Sequence, residues 1–280
     1  MLTYINKKIS QLFKSYKSLT FYWRNRKTIG ISGADYLKLI KHGDDKENLD
    51  IKFLNKTISI SSSFWFLHSV HELFIDEVYK FETGNSKPII IDCGANWGLS
   101  IIYLKKQHPG AIITAFEPDK KIFTLLRKNI ESFGFEDVTL INKAVWKNNN
   151  NLKFSSEGTL GGTITGLGIP EYNVIEVETS RLRDVLMEHE KIDFLKIDIE
   201  AAEYDVVKDC ADELHRADRL FIEYHSIPGN PQQLDEILMF VKNAGFRYYI
   251  KEAWNNMKYP FSQDKNLYYD LQLNIFCFRQ

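Results

Sequence analysis

The sequence predicts an α/β protein with a mostly parallel sheet of seven strands and an N-terminal cap of helices and a β-hairpin. Three observations predict it. Apolar runs that end in polar residues alternate with segments of helical periodicity from Ile89 to Phe278. Within them, IIIDCGANWGLSIIYLKKQHPGAIITAFEPD, from Ile89 to Asp119, reads as strand, glycine turn, helix, strand and acid, the first half of a Rossmann-like nucleotide-binding unit. A polar linker, Gly84-Asn85-Ser86-Lys87-Pro88, precedes it, so the expected division is a cap over 1–87 and a main domain over 88–280.

In the cap, residues 1–34 contain no acid, while Lys7, Lys8, Lys14, Lys17, Arg24, Arg26 and Lys27 are basic. Ile5, Ile9, Leu12, Phe13, Tyr16 and Leu19 recur at helical spacing, which predicts a basic amphipathic helix. Two readings stay open for it: packing of its apolar stripe on the rest of the protein, or peripheral contact of residues 1–30 with a membrane surface or a partner. Leu49 to Ile60 predicts a hairpin about Asn55-Lys56. Val70 to Phe81 puts Leu73, Phe74, Val78 and Phe81 on one helical face, and this helix is expected to cover the mouth of the nucleotide site.

In the nucleotide-binding stretch, Ile89-Ile90-Ile91 leads to Asp92 and the small-residue turn Gly94-Ala95-Asn96-Trp97-Gly98. Leu99 to Gln107 follows as a helix with Ile101, Ile102 and Leu104 on one face, and Ala111 to Phe116 as a strand that ends in Glu117. Glycines admit a ligand close to the backbone, and a helix start presents unpaired N–H groups. A dinucleotide turn wants a third glycine and no acid beside it. Here only Gly94 and Gly98 are glycines, and Asp92 would repel a pyrophosphate. S-adenosylmethionine carries a ribose, a sulfonium and an amino group but no phosphate, and the charge favours it over a nicotinamide dinucleotide. Glu117 is placed to take the ribose hydroxyls.

Asp119 is expected to cap a helix running to about Phe133, with Ile122, Leu125, Leu126 and Ile130 inward. Val138 to Asn142 is the third strand. Trp146 to Ser180 reads as an irregular excursion with a strand-like Val174 to Val177, a length that marks a functional loop. Arg181 to Glu190 is a helix, Ile192 to Ile199 the fourth strand, and Glu203 to about Arg216 the next helix. Arg219 to Tyr224 is the fifth strand, and Pro231 to Asn243 a helix with Pro231 in its first position. Phe246 to Lys251 and Leu271 to Phe278 complete the sheet, whose ligands should bind at the carboxyl ends of its strands.

The 280 residues are 44% hydrophobic and 26% charged, ample for a core and ordinary for a globular chain. A net charge of −1 gives no global pull towards nucleic acid. Cys93, Cys210 and Cys277 are odd in number, far apart and without C-x-x-C, which argues for a reducing compartment. With no membrane-length apolar run and no signal-peptide core, the expected location is the cytoplasm, with peripheral contact at the inner membrane face as the alternative for residues 1–30.

The second informative stretch is Lys196-Ile197-Asp198-Ile199-Glu200-Ala201-Ala202-Glu203. Three carboxylates converge at the end of a strand and the first turn of a helix, where they repel one another. One acid there is explained by the helix dipole; three point to function, although Glu203 also suits a plain first-turn acid. Glu223 and His225 end the fifth strand on the same rim. His225 titrates near neutral pH and is the candidate base for a hydroxyl proton, with Glu223 orienting it. A Mg²⁺ held by Asp198 and Glu223 is the rival, ranked second because the sequence gives no firm ligand count. The other six histidines are read as structural.

These motifs carry a resemblance. DCGANWG, AFEPD, INKAVW, DFLKIDIEAAEYDVV and FIEYH stand in the order and at the spacing of the FkbM-like methyltransferases, and the chain resembles that family over roughly 77–280. The resemblance implies the class I S-adenosylmethionine-dependent methyltransferase fold and methylation of a hydroxyl, often on a sugar, as in polysaccharide biosynthesis. It implies a cofactor set of Asp92, Gly94, Ala95, Asn96, Gly98, Glu117, Pro118, Asn142, Ala144 and Asp198. Catalysis is expected to fall to His225, Asp198, Glu223 and Glu200, with S-adenosyl-L-methionine as cofactor and Mg²⁺ possible but not favoured. The acceptor would be a small molecule or a glycan, with no nucleic acid partner. One departure is Ala201, where the family usually has Gly; its methyl group matters if the position needs positive φ. A cofactor-binding module without catalysis and a nicotinamide-dependent oxidoreductase remain the other classes.

Overall fold

The computed structural model describes residues 19–42, 47–156, 162–166, 173–254, 257, 259–262 and 268–279. The cap opens with helices α1 (Leu19–Ile29) and α2 (Gly33–His42) and the hairpin β1 (Leu49–Phe53) and β2 (Lys56–Ile60). Its turn residues Leu54 and Asn55 have φ of 50° and 64°, the double left-handed geometry that matches hairpin twist. The predicted basic helix falls largely on residues 1–18, outside the described residues. Among the described residues no helix is long and apolar enough to cross a membrane.

The helix expected over Val70 to Phe81 starts earlier. It is α3 (Ser63–Val70), capped by the Ser62 hydroxyl on the N–H of Trp65, and it widens into a π-helical turn over His71–Ile75. Glu77, at φ 50°, then ends the helical path. Val78 and Phe81 therefore pack from a turn, and the apolar spacing that suggested a helix reflects burial from two different backbones.

The main sheet has seven strands: β3 (Ile89–Cys93), β4 (Ile112–Phe116), β5 (Val138–Ile141), β11 (Phe194–Ile197), β12 (Arg219–Ser226), β13 (Arg247–Trp254) and β14 (Leu271–Phe278). Their order is β13-β14-β12-β11-β3-β4-β5. From β12 to β5 all neighbours are parallel, and β14 runs antiparallel to both β12 and β13. The chain leaves β3 for one edge and returns at β11 on the other side, so the order reverses between these two strands. Ligands of such sheets bind in the crevice at that point.

The apolar runs are explained by burial on both faces. Ile90, Phe194 and Phe221 share one core with the cap residues Phe53, Phe66 and Phe74. Ile91, Leu195 and Ile222 face the opposite core with Val206 and Ile237. Strand period two then places Asp92, Lys196, Asp198, Glu223 and His225 on the cap face, beyond its apolar layer.

The connecting helices are α4 (Leu99–Gln107), α5 (Lys120–Phe133), α6 (Leu182–Met187), α7 (Glu203–Asp209) and α8 (Leu234–Asn243). Asp119 caps α5 through the N–H groups of Lys121 and Ile122, and Gly134 closes it at φ 71°. Three expectations shift. The helix from Glu203 stops at Asp209 and is followed by a short 3₁₀ turn, Leu214–Arg216. Pro231 lies ahead of α8, which starts at Leu234. The fifth strand runs on to Ser226, so Glu223 and His225 sit inside it and are held by pairing to Asn274 and Gln272 of β14.

The described residues of the excursion read as irregular contain strands. Strands β7 (Leu152–Ser156), β8 (Gly162–Ile164) and β9 (Asn173–Val177) form an antiparallel sheet, and β6 (Ala144–Trp146) pairs in parallel with β10 (Thr179–Arg181). Its small core is Ala144, Phe154 and Val177, too few apolar residues to stand out in the sequence.

Candidate active site

The glycine turn after β3 forms the floor of one half of the site. Gly94 has φ 97°, and its N–H and that of Ala95 donate to the carbonyl of Phe116. A Cβ at Gly94 would clash with the carbonyl oxygen of Asp198, so the two crossing turns fit only because this residue is glycine. Glu117, 7% exposed, accepts the N–H of Asn96 (3.0 Å) on Oε2 and that of Asp119 (2.9 Å) on Oε1. Burial nevertheless pushes its carboxyl up to about 8. Asp119 also receives the hydroxyl of Ser156.

Lys196 binds the two halves together. It lies directly across from Asp92 in the β3–β11 pair, with Nζ 3.3 Å from Asp92 Oδ1, 3.2 Å from Asp198 Oδ2 and 2.8 Å from the carbonyl of Gly94. Burial works against its charge, but the carboxylates of Asp198 and Asp92 outweigh it and raise its pKa well above the usual value.

The other half is built by the turn after β11. Glu200 and Ala201 take φ of 54° and 72°. Glu203, at the start of α7, holds this turn: its Oε1 accepts the N–H groups of Ile199 (3.1 Å) and Ala201 (3.2 Å) and lies 3.1 Å from His225 Nδ1. The other ring nitrogen, Nε2, lies 3.5 Å from Glu223 Oε1 and 3.7 Å from Glu200 Oε2. Glu200 also accepts the hydroxyl of Tyr269 at 2.8 Å. Burial lowers the pKa of His225, yet Glu203 and Glu200 prevail and hold it well above the usual value. Glu200 is pushed up to about 8, chiefly by burial.

Both halves open into one cavity of about 470 Å³, inside the ~300–1,000 Å³ range of small-ligand sites. The cap closes it. Trp65 and His68 of α3 meet Trp254 of β13 with ring centroids 6.1 and 5.4 Å apart, and Glu72 joins the acids on the cap side. Burial of Glu72, together with the charges of Glu223 and Asp198, raises its pKa well above the usual value. Burial likewise lowers His68 to about 4, so it is neutral at pH 7.

Residues 92–248 match the family model described as the methyltransferase FkbM domain. The chain belongs to the FkbM methyltransferase family. It is 29% identical over 187 residues to "Methyltransferase sdnD" of Sordaria araneosa, a match covering 51% of this chain and 68% of that one. It is 25% identical over 209 residues to "31-O-demethyl-FK506 methyltransferase FkbM" of Streptomyces tacrolimicus, covering 62% and 79%. A solved structure of a methyltransferase FkbM from Methylobacillus flagellatus KT aligns with a TM-score of 0.46 at 14% identity, over 76% of this chain and 54% of that one.

The FkbM assignment makes the protein an S-adenosylmethionine-dependent methyltransferase and its sheet that of the class I fold. It also decides against the nicotinamide reading. The residues present fit the cofactor: a glycine turn that lines the cavity, a buried carboxylate at the next strand end, and acids where a cationic ligand would lie.

Of the residues expected in this FkbM site, Gly94, Ala95, Asn96, Glu117, Pro118, Ala144, Asp198, Glu200, Glu223 and His225 line the cavity. Three stand behind its wall. Asp92 is fully buried between Lys196 and the hydroxyl of Ser100, so its carboxylate is held away from the cavity. Gly98 is needed for packing, since a Cβ there would meet Leu126 at 2.8 Å and Ile130 at 3.1 Å. Asn142 donates to the carbonyls of Glu117 (2.8 Å) and Pro118 (3.0 Å) and so steadies the acid from behind. The partner on His225 Nδ1 is Glu203 where the sequence reading had Glu223. Lys196 escaped that reading although its signal was present: a lysine inside an apolar strand needs buried acids beside it. Trp65, Trp254 and Tyr269 come from stretches without a motif, and Glu72 from the segment expected over the mouth of the site, where no residue was singled out.

Proposed function

We propose that the protein transfers the methyl group of S-adenosylmethionine to a hydroxyl of a small polar acceptor, a sugar free or within a glycan or glycolipid. One observation carries this: His225 and the carboxylates of Asp198, Glu200 and Glu223 share a rim with the glycine turn and face an aromatic wall. Aromatic faces beside carboxylates suit a polyhydroxyl ring, whose C–H face stacks while its hydroxyls donate. The Streptomyces relative is named for an O-demethyl acceptor, and the oxygen, not that acceptor, is carried over here.

The sulfonium already activates the methyl group. The protein must hold the acceptor oxygen about 3 Å from the methyl carbon, in line with the sulfur. A C–O bond then forms as the C–S bond breaks, its electron pair stays on sulfur to leave a neutral thioether, and the hydroxyl proton passes to the acid cluster and on to water. Incubation with labelled S-adenosylmethionine and a panel of sugars, nucleotide-sugars, glycolipids and cell extract tests the reading. The expected product is an alkali-stable methyl ether. An alkali-labile ester or an N-methyl product would overturn hydroxyl transfer; binding of the cofactor with no transfer to any acceptor would point to the module without catalysis.

A further inference from the structure

We propose that Asp198, Glu200 and His225 form a divalent-cation site, suited to Mn²⁺ above Mg²⁺, on which the acceptor hydroxyl docks. It deepens the hydroxyl-methylation reading and rests on it for its chemistry, whereas binding of the ion is measured without it.

Each of the three residues brings one ligand-type atom, and these atoms lie within 4.8 Å of one another. His225 is already set as a ligand. Its Nδ1 is committed to Glu203, which two backbone N–H groups hold in place, and Nε2 is left facing carboxylates. A metal-binding histidine characteristically gives its other nitrogen to a carboxylate in this way, which fixes the ring and its tautomer. The Nε2 distances of 3.5 Å to Glu223 and 3.7 Å to Glu200 are long for hydrogen bonds. The distance to Glu200 exceeds by about 0.7 Å the ~3 Å that separates adjacent ligands around an ion with ~2.1 Å bonds, so the side chains must draw inward to complete the shell.

The charge count agrees. Lys196 is spent on Asp92, the Gly94 carbonyl and one oxygen of Asp198, leaving the other Asp198 oxygen and the carboxylates of Glu200, Glu223 and Glu72 on the cavity wall. One imidazole among carboxylates favours a borderline ion over the all-oxygen shells of Ca²⁺ and Mg²⁺. The ion would lower the pKa of the bound hydroxyl, with Glu223 receiving its proton, and His225 would then serve as ligand where the sequence suggested a base.

The test uses the full chain, stripped with EDTA and free of cofactor. Mn²⁺, Mg²⁺ and Ca²⁺ are titrated by calorimetry and by the electron paramagnetic resonance signal of free Mn²⁺. One equivalent of Mn²⁺ should bind, at least tenfold tighter than Mg²⁺, and raise the melting temperature. His225→Ala and Asp198→Asn should each lose at least tenfold in Mn²⁺ affinity, with a cooperative melting transition and a wild-type circular dichroism spectrum showing that they fold. If His225→Ala fails to fold, Asp198→Asn alone decides. Failure of the wild type to bind Mn²⁺, or equal affinity in wild type and folded variants, would overturn the site. Methyl transfer that survives EDTA would also overturn it, while leaving the transfer reading intact.

Discussion

After β3 the backbone turns left-handed at Gly94 (φ 97°), Asn96 (φ 47°) and Gly98 (φ 90°); after β11 it does so at Glu200 (φ 54°) and Ala201 (φ 72°), with no glycine at all. The two turns cross at the same rim. In the first, a side chain is forbidden, because the carbonyl of Asp198 occupies the space of a Gly94 Cβ. In the second, a side chain is needed, because Glu200 must reach the cavity. Non-glycine residues stay in such conformations only where their surroundings over-determine them. Here Glu203 holds the N–H groups on either side, Thr163 donates to the carbonyl of Glu200 at 2.6 Å, and Tyr269 holds its carboxylate. The Gly94 half is thus shaped by absence of atoms, and the Glu200 half by a network that keeps strain in place.

Exchanging the residue types tests this contrast, and the largest effect belongs to Gly94→Ala. Both the φ of 97° and the backbone clash resist relief, so a stability loss of more than about 3 kcal/mol is expected, with loss of S-adenosylhomocysteine binding. Urea unfolding and calorimetry check it. A near-normal midpoint with normal affinity would mean that the turns do not cross as described.

Next comes Glu117→Gln, which keeps an acceptor for the turn and removes the charge. At pH 9, where the carboxyl is ionised, loss of a charge-assisted pair to the ribose should weaken S-adenosylhomocysteine about 10- to 100-fold, or roughly 1.5–3 kcal/mol. The same carboxyl predicts a pH effect in the cofactor-free protein. Its pKa is raised to about 8 from an ordinary 4.5, so its stabilising contribution is complete below pH 4.5 and is lost as pH rises through about 8. Between pH 5 and 9 the wild type should lose stability that Glu117→Gln keeps. Parallel curves for the two proteins would show that burial does not govern this group.

The reverse exchange, Ala201→Gly, should have the smallest effect. Relief of the left-handed strain, less the added freedom of the unfolded chain, is expected to stabilise the fold by about 0.5–1 kcal/mol. Chemical denaturation reads the sign. A loss would mean that the Ala201 methyl, which packs beside Ile227 and Tyr269, contributes more than the strain it causes.

The contrast also explains what could be read in the chain. The glycine turn, the strands on either side of it and the helix cap at Asp119 announce themselves locally, and their boundaries agree closely with the fold. The acids at 198, 200 and 223 and His225 were legible for a related reason. On the cap face every second residue turns from apolar to charged towards the strand ends, as in Phe194, Lys196 and Asp198 or Phe221, Glu223 and His225. What escaped depends on tertiary placement. The carboxylate of Glu203 reaches His225 through a turn whose φ values no spacing rule gives, and Glu72 arrives on a helix whose start the periodicity misplaced. The three-stranded sheet between β6 and β10 was missed because its strands bury too few apolar residues to alternate visibly.

The central claim is that methyl transfer happens at His225 and its carboxylates while the cofactor is held by the glycine turn. The most direct measurement compares wild type and His225→Ala on one acceptor, with turnover and S-adenosylhomocysteine affinity determined on the same preparations. The account predicts that turnover falls at least 100-fold while affinity stays within about threefold, a separation of more than ~2 kcal/mol between the two effects. Turnover equal to wild type, or a loss of affinity as large as the loss of turnover, would contradict it.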